Sequence, residues 1–186
     1  MAVKIVRVLN TNAVVSSDQE GRELIITGAG IGFKKKKGEN LDEALADKTY
    51  YLESVDDSRR LQEVVKEISE EYLEIVSRIV KTAREEGLKV RDSLYVTLTD
   101  HINSAVDRYR ENIALKNMMK LEIRKFYPKE YEIGLRAVQW IQEQNDENLG
   151  EDEAAFIAMH IVSAELGSGS NVDVNKITKL INAVLQ

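Results

Sequence analysis

The first fifty or so residues alternate short apolar runs with turn signals, a pattern typical of β-strands. Three runs are rich in β-branched and aliphatic residues: Val3–Leu9, Ala13–Val15 and Leu24–Thr27. Turn-favouring residues separate them at Asn10–Asn12 and Asp18–Gly21. The glycine-punctuated run Gly28–Phe33 is predicted as a fourth strand. Together they predict a small antiparallel meander, which buries little surface alone and is therefore expected to form a homodimer.

From about Asp56 the pattern changes, because apolar residues now recur at three- and four-residue intervals, as they do on helices. One long helix is predicted from Leu61 through Arg84, ended by Gly87. Five further helices are predicted: one after Asp92 or Ser93, one near Asn117–Phe126, one from Pro128, one after Gly150 to Leu166, and one over Val174–Leu185 beyond the break at Gly167–Ser170. The fold class is therefore α+β, with a four-stranded antiparallel sheet followed by an all-α helical bundle.

The change in pattern predicts two domains. We expect a sheet domain over residues 1–55, a linker over residues 56–60 and a helical domain over residues 61–186. Charge supports the division, because residues 1–38 hold seven basic and three acidic groups while the whole chain has a net charge of −6. A basic first part on an acidic remainder suggests two modules with different partners.

Composition excludes several classes of protein. The 186 residues contain no cysteine, so disulfides and thiolate chemistry are excluded. No run of eighteen apolar residues is present to span a membrane, and the first residues lack the apolar core of a signal peptide. These features favour a cytoplasmic protein.

Several residues in or beside the turns of the predicted sheet could bind nucleic acid. The amides of Asn10 and Asn12 can hydrogen-bond to bases or phosphates, the loop Gly28–Phe33 can approach a ligand closely, and Phe33 can stack on an unpaired base. Lys34–Lys37 would attract phosphate. The same residues also suit ordinary turns, a core phenylalanine and a solvated charged face, so the residues alone leave both interpretations open. No Gly-Lys-Ser/Thr follows the glycines, which argues against nucleotide hydrolysis.

The only two histidines, His101 and His160, lie on or beside the apolar stripes of two separate predicted helices. Each could be an ordinary core residue, and together they could meet in a shared cleft. A metal site would need carboxylates such as Asp100 or Glu165 to complete it, and there is no His-Glu-x-x-His. Acid–base catalysis lacks a nucleophile motif such as Gly-x-Ser-x-Gly. Phosphoryl acceptance at a ring nitrogen is a third functional option, and the residues alone leave the core role and all three options open.

Four separated segments resemble one family, in that family's order and over essentially the whole chain. The segments are Lys4–Asn12 with Gly28–Lys35, Leu98–Ile102, Phe126–Gly134 and Glu153–Ile161. The chain thereby resembles the BglG/LicT/SacY-type antiterminators of bacterial sugar operons. The first segment is similar to the co-antiterminator RNA-binding domain, and the histidine-containing segments are similar to the first phosphotransferase-regulation domain.

The resemblance implies a non-enzymatic regulator without a cofactor or metal. Its sheet domain would dimerise and hold an antiterminator hairpin in the leader mRNA, which keeps the overlapping terminator from forming. The positions that match the family's RNA contacts are Arg7, Asn10, Asn12, Gly28 and Phe33. Ala29 departs from the basic residue often found between the two glycines, and this puts one phosphate contact in doubt.

The resemblance further implies that His101 and His160 are phosphorylated by a sugar permease (enzyme II) or by HPr. In this family such a modification of the first regulation domain commonly turns the antiterminator off. We hypothesise that the added charge splays a helical dimer interface and distorts the RNA-binding dimer. Family members usually carry a second regulation domain, whereas this sequence contains one. The alternative is a small metal-dependent or phosphotransfer enzyme that uses the His101–His160 pair.

Overall fold

The structure, a computed structural model, describes residues 3–51, 54–67 and 69–166. It consists of an N-terminal four-stranded antiparallel sheet followed by six helices, so the predicted α+β class is confirmed. Contacts divide the chain into two compact units, Met1–Leu73 and Glu74–Gln186, called unit 1 and unit 2 below. None of the helices in the described ranges combines the length and the apolar composition that a membrane span needs.

The sheet of unit 1 is a meander with strand order β1-β2-β3-β4. Its strands are β1 (Ile5–Asn10), β2 (Ala13–Ser17), β3 (Glu23–Thr27) and β4 (Lys48–Tyr51). Neighbouring strands are antiparallel, and the register shifts twice between β1 and β2. One face of the sheet packs on the loops beside it, through a cluster of six buried residues: Ile5, Val14, Leu24, Ile26, Ile31 and Leu41. Alternation along a strand points its intervening residues to the other face, and α1 contacts β1 and β3.

The prediction of a strand at Gly28–Phe33 was wrong. This segment forms successive tight turns. The backbone N–H of Ile31 donates to the carbonyl oxygen of Gly28, and the N–H of Phe33 donates to the carbonyl oxygen of Gly30. Gly30 adopts a φ of +73°, which is unsuited to a strand and easy for glycine. The fourth strand is β4, whose Thr-Tyr-Tyr sequence carries the β-branched and aromatic residues that favour strands.

The single long helix predicted from Leu61 to Arg84 is two helices, α1 (Val55–Glu67) and α2 (Glu70–Glu85). Ser69 provides the new start, because its hydroxyl accepts from the N–H of Glu71 and its carbonyl from the N–H of Tyr72. Both helices carry apolar residues at helical spacing, so periodicity alone does not reveal the interruption. Helix α1 includes residues 56–60, which the sequence analysis treats as a linker.

The remaining helices of unit 2 are α3 (Ser93–Arg110), α4 (Lys120–Phe126), α5 (Pro128–Asn145) and α6 (Gly150–Leu166). Pro128 starts α5, and Asp146 ends it with a left-handed backbone. Helices α5 and α6 pack closely at Gly134, where a Cβ atom would lie 2.2 Å from the carbonyl oxygen of Ala154. Helix α6 also contacts α3 and α4, and this brings the two histidine-bearing helices together. The predicted break at 167–170 and helix over 174–185 lie outside the described residues.

Candidate functional site

In unit 1, the turn between β1 and β2 and the loop after β3 lie side by side. The backbone N–H of Gly28 donates to the carbonyl of Asn12 at 2.9 Å, and that of Gly32 donates to the carbonyl of Thr11 at 2.8 Å. The side-chain Oδ1 of Asn12 accepts from the N–H of Gly30 at 2.8 Å. The two segments that the sequence analysis singled out, Asn10–Asn12 and Gly28–Phe33, therefore form one surface, called the turn-and-loop surface below. The side chain of Asn12 holds the glycine loop in place.

Arg7 and Asn10 contact helix α1 within the same unit. The guanidinium of Arg7 donates to Oε1 of Gln62 at 2.8 Å, and Nδ2 of Asn10 donates to the carbonyl of Val65 at 2.8 Å. Oδ1 of Asn10 accepts from the N–H of Asn12, so both ends of this amide are engaged. The contact with Val65 uses one of the two N–H donors of this amide, so the other is the donor that a ligand could use beside α1.

Gly28 and Phe33 differ in their access to a ligand. Gly28 is buried, and a Cβ atom there would lie 1.7 Å from the carbonyl oxygen of Leu45, so backbone packing alone requires glycine. Phe33 is 59% exposed, with Nζ of Lys34 5.2 Å from its ring centroid. An aromatic ring beside a cation and open to solvent is suited to stacking on a base. A cleft of about 400 Å³ lies beside this surface and is lined partly by Asn10 and Asn12.

In unit 2, His101 on α3 and His160 on α6 face each other, with their ring centroids 4.7 Å apart. The His101 ring also lies 5.9 Å from the ring of Phe156. Both imidazoles are partly buried. The expectation that two histidines from separate helices share one cleft is therefore met by the geometry, although their chemical role is a separate question.

Two charged residues that the sequence analysis missed complete this site. Nε2 of His101 lies 3.0 Å from Oε2 of Glu153, and Nη2 of Arg108 donates to Oε1 of the same carboxylate at 3.0 Å. Glu153 is buried, with 7% of its surface exposed. A signal was available, because Arg108 follows His101 by seven residues and Glu153 precedes His160 by seven. That spacing places each pair on the same helix face, two turns apart.

The electrostatics of the site keep its members in different charge states. Burial lowers the pKa of His160 to about 4, assisted by the nearby charge of His101 and opposed by Asp100 and Glu153. Burial alone would raise the pKa of the Glu153 carboxyl, but hydrogen bonds and charge from His101 and Arg108 outweigh burial and lower that pKa. At neutral pH His160 is therefore an uncharged imidazole, and Glu153 is an ionised carboxylate.

One of the two carboxylates considered for a metal site is open to solvent. Asp100 is exposed on α3. Within the ranges that the structure describes, no group of three or more histidine, cysteine, aspartate or glutamate side chains is arranged to hold a metal ion. The geometry thus gives the metal-dependent alternative no support.

Two protein-family models match successive parts of the chain. The model of the CAT RNA binding domain matches residues 3–59, and the model of the PRD domain matches residues 73–164. The chain belongs to the BglG/LicT-type antiterminator family. Sheet and bundle are thus the two domain types of the family, and the turn-and-loop surface and the histidine pair lie in separate domains.

Curated relatives match along almost the entire chain. The Beta-glucoside operon antiterminator of Dickeya chrysanthemi is 36% identical over 184 residues, which cover 98% of this chain and 65% of that protein. Transcription antiterminator LicT of Bacillus subtilis (strain 168) is also 36% identical over 184 residues, covering 98% of this chain and 66% of LicT. The chain thus spans about 65% of the length of these relatives, whose names are those of antiterminators and not of enzymes.

A solved structure supports the fold. The crystal structure of GlcT CAT-PRDI is matched with a TM-score of 0.73 and 27% sequence identity, over 89% of this chain and 99% of the GlcT chain. The same order of a sheet domain and a helical domain is therefore found in a relative that has been solved experimentally.

Proposed function

We propose that this chain is a transcriptional antiterminator whose sheet domain binds an antiterminator hairpin in the leader mRNA of a sugar operon. The observation that carries the proposal is the match of residues 3–59 to the CAT RNA binding domain. The names of the curated relatives agree with it. By holding the hairpin, the protein keeps the overlapping terminator from forming, and no catalytic turnover is involved. We assign residues 1–55 to RNA binding, 56–60 to the connection and 61–186 to regulation.

The RNA is proposed to contact the turn-and-loop surface of unit 1. Phe33 provides an exposed ring for stacking, and Asn12 presents its amide at the edge of the glycine loop. Arg7 contributes a cation once its hydrogen bond to α1 is exchanged for one to RNA, and Asn10 contributes the second N–H of its amide. Gly28 supports binding by allowing the loop to pack, because its own Cα is buried against backbone.

Lysines next to this surface supply the electrostatic part of binding. Lys34, Lys36 and Lys37 are exposed immediately after Phe33. Cations placed there attract phosphate and release counterions, which makes the affinity fall as salt rises. A homodimer would double this contact. Helix α1 covers part of the sheet within one chain, so the proposed dimer rests on the family resemblance.

Regulation is proposed to act through phosphorylation of His101 and His160 by enzyme II or HPr of the sugar phosphotransferase system. These partners act on cytoplasmic proteins, which is where we place this chain. A phosphoryl group brings about two negative charges. On either histidine it would enter a site that already contains the ionised Glu153, and repulsion would push α3 and α6 apart locally. We propose that this change alters the helical dimer contact and lowers RNA affinity.

Gel shifts with a short bulged RNA hairpin test both halves of the proposal. Wild-type protein should bind, with an affinity that falls as salt increases, and His101→Asp and His160→Asp should bind more weakly. His101→Asn and His160→Asn serve as matched uncharged controls that should retain affinity. Absence of any RNA shift would refute the antiterminator assignment, whereas normal binding by both aspartate variants would refute only the phosphorylation switch.

Phosphorylation itself is tested with purified phosphotransferase components and mass spectrometry of the two histidine-containing peptides. Phosphate on these peptides, absent from the corresponding asparagine variants, is the expected result. Unmodified peptides after complete phosphorylation of HPr and enzyme II would contradict the assignment of these histidines as acceptors.

A further inference from the structure

We infer that Glu153 is a positioning residue for His101, which holds the Nε2–H tautomer of that imidazole and directs phosphoryl transfer to Nδ1. The inference rests on the proposed function, in which His101 is a phosphoacceptor, and deepens it by naming the reacting atom and the residue that selects it. The residues concerned are His101, Glu153 and Arg108.

The tautomer follows from the donor and acceptor capacity of the two partners. Oε2 of Glu153 lies 3.0 Å from Nε2 of His101, at hydrogen-bonding distance. An ionised carboxylate has no proton to donate and can only accept, so Nε2 must carry the hydrogen. In the neutral imidazole the other nitrogen, Nδ1, then carries the lone pair. Among the described residues no hydrogen bond occupies Nδ1 of His101, so this atom is available as the nucleophile.

Arg108 keeps the carboxylate ionised and oriented. Its Nη2 donates to Oε1 of Glu153 at 3.0 Å, which leaves Oε2 directed at His101. Both side chains are largely removed from solvent, with 9% of the Glu153 side chain and 23% of the Arg108 side chain exposed. Charge-assisted hydrogen bonds are stronger than neutral ones and fix geometry in such surroundings. Arg108 thus orients the carboxylate of Glu153, and this carboxylate orients the ring of His101.

His160 makes the arrangement asymmetric. Its ring lies 4.7 Å from that of His101, and its pKa of about 4 keeps it uncharged at neutral pH. His101 is the imidazole of the pair that contacts Glu153. Among the described residues no carboxylate is hydrogen-bonded to His160, so tautomer selection by Glu153 applies to His101 alone.

The transfer step is balanced without a further reactant. Nδ1 of His101 attacks the phosphorus of a phosphohistidine on the donor protein, a new N–P bond forms, and the donor's N–P bond breaks. The electron pair of the broken bond leaves with the donor imidazole. The Nε2 proton stays on His101, and the positive charge that develops on its ring is paired with the Glu153 carboxylate, as a buried aspartate stabilises the imidazolium of a serine–histidine–aspartate triad during acyl transfer.

Nuclear magnetic resonance tests the tautomer directly, without any phosphoryl donor. The chain has two histidines, so long-range ¹⁵N–¹H spectra contain two imidazole patterns, assigned with His101→Asn and His160→Asn. The neutral His101 of the wild-type protein should show a protonated Nε2 and an unprotonated Nδ1. In Glu153→Gln this preference should weaken or reverse, because an amide can donate as well as accept. An Nδ1–H tautomer in the wild-type protein would overturn the inference.

Reactivity is tested with potassium phosphoramidate, a small donor that needs no docking surface. Wild-type protein should be modified at Nδ1 of His101, and Glu153→Gln should react roughly 10- to 100-fold more slowly, the loss expected for one charge-assisted hydrogen bond. Glu153→Asp, which keeps the charge, should recover part of the rate. Glu151→Gln is the matched control, because Glu151 lies on the same helix with 64% of its side chain exposed, and it should react like the wild type.

The outcomes separate this inference from the proposed function. Phosphorylation of His101 at Nε2, or an unchanged rate in a folded Glu153→Gln protein, would overturn the role of Glu153 and leave the antiterminator assignment intact. Modification at Nδ1 by phosphoramidate but not by HPr or enzyme II would refute the proposed donors and retain the role of Glu153. If Glu153→Gln does not fold, the wild-type tautomer and the Glu153→Asp rate decide the matter.

Discussion

The uncharged state of His160 predicts a specific dependence of stability on pH. Its pKa in the folded protein is about 4, against an ordinary value of 6.5. Because folding lowers this pKa, the unfolded chain binds the proton more tightly. The contribution to stability is therefore fully present above pH 6.5 and is lost as the pH falls from 6.5 towards 4. His101 and the carboxylates of Asp100 and Glu153 are the titratable groups that face this ring.

The magnitude follows from the two pKa values. At pH 5 an unfolded histidine is almost fully protonated, whereas about one tenth of the folded His160 is protonated. Linkage then gives a loss of about 1–2 kcal/mol between pH 7 and pH 5, the lower figure allowing for partial exposure of the ring. His160→Asn cannot bind this proton, so its free energy of unfolding should fall by that much less over the same interval.

Urea unfolding at pH 7 and pH 5 measures the difference. Trp140, the single tryptophan, lies on α5 and reports on unit 2. The comparison uses the change with pH within each protein, so a lower absolute stability of the variant does not affect it. Equal losses in the wild-type and His160→Asn proteins, or a titration midpoint of His160 near 6.5 in nuclear magnetic resonance spectra, would refute the reasoning.

Four further substitutions test the packing and the RNA surface. Gly134→Ala should lower the free energy of unfolding of unit 2 by about 1–3 kcal/mol, because its Cβ would meet the backbone of α6; an unchanged urea midpoint would contradict this. Gly28→Ala should loosen the sheet, seen as faster amide hydrogen exchange in β3 and β4, and unaltered exchange would argue against the packing role. Phe33→Ala should weaken hairpin binding by about 1–3 kcal/mol with little change in salt dependence, whereas Lys36→Gln should reduce the salt slope by about one. An equal salt dependence of RNA affinity in the wild-type and Lys36→Gln proteins would show that Lys36 does not approach phosphate.

Much of the fold could be read from periodicity. Strands β1, β2 and β3 lie where apolar and polar residues alternate, and helices α3 to α6 lie where apolar residues recur every three or four positions. Each spacing is the one that lets an element bury one face. The two errors have a common cause. Gly28–Phe33 and the interruption at Ser69 depend on turn hydrogen bonds, and local composition reports these poorly. The division at residues 55 and 60 stays a prediction.

For the candidate sites, the sequence indicated which residues to consider, and the structure decided which contacts they make. Residue types and motifs singled out the two histidines, the asparagine turn and Phe33 as candidates, since those side chains carry the chemistry. The exposure of Phe33 was left open and was decided by the structure. Only the tertiary structure decided which atoms meet. The 3.0 Å contact of His101 with Glu153 joins residues 52 positions apart, and the contact of Asn10 with Val65 joins residues 55 positions apart. Such pairs depend on how helices and strands pack, because packing places side chains that no local spacing relates.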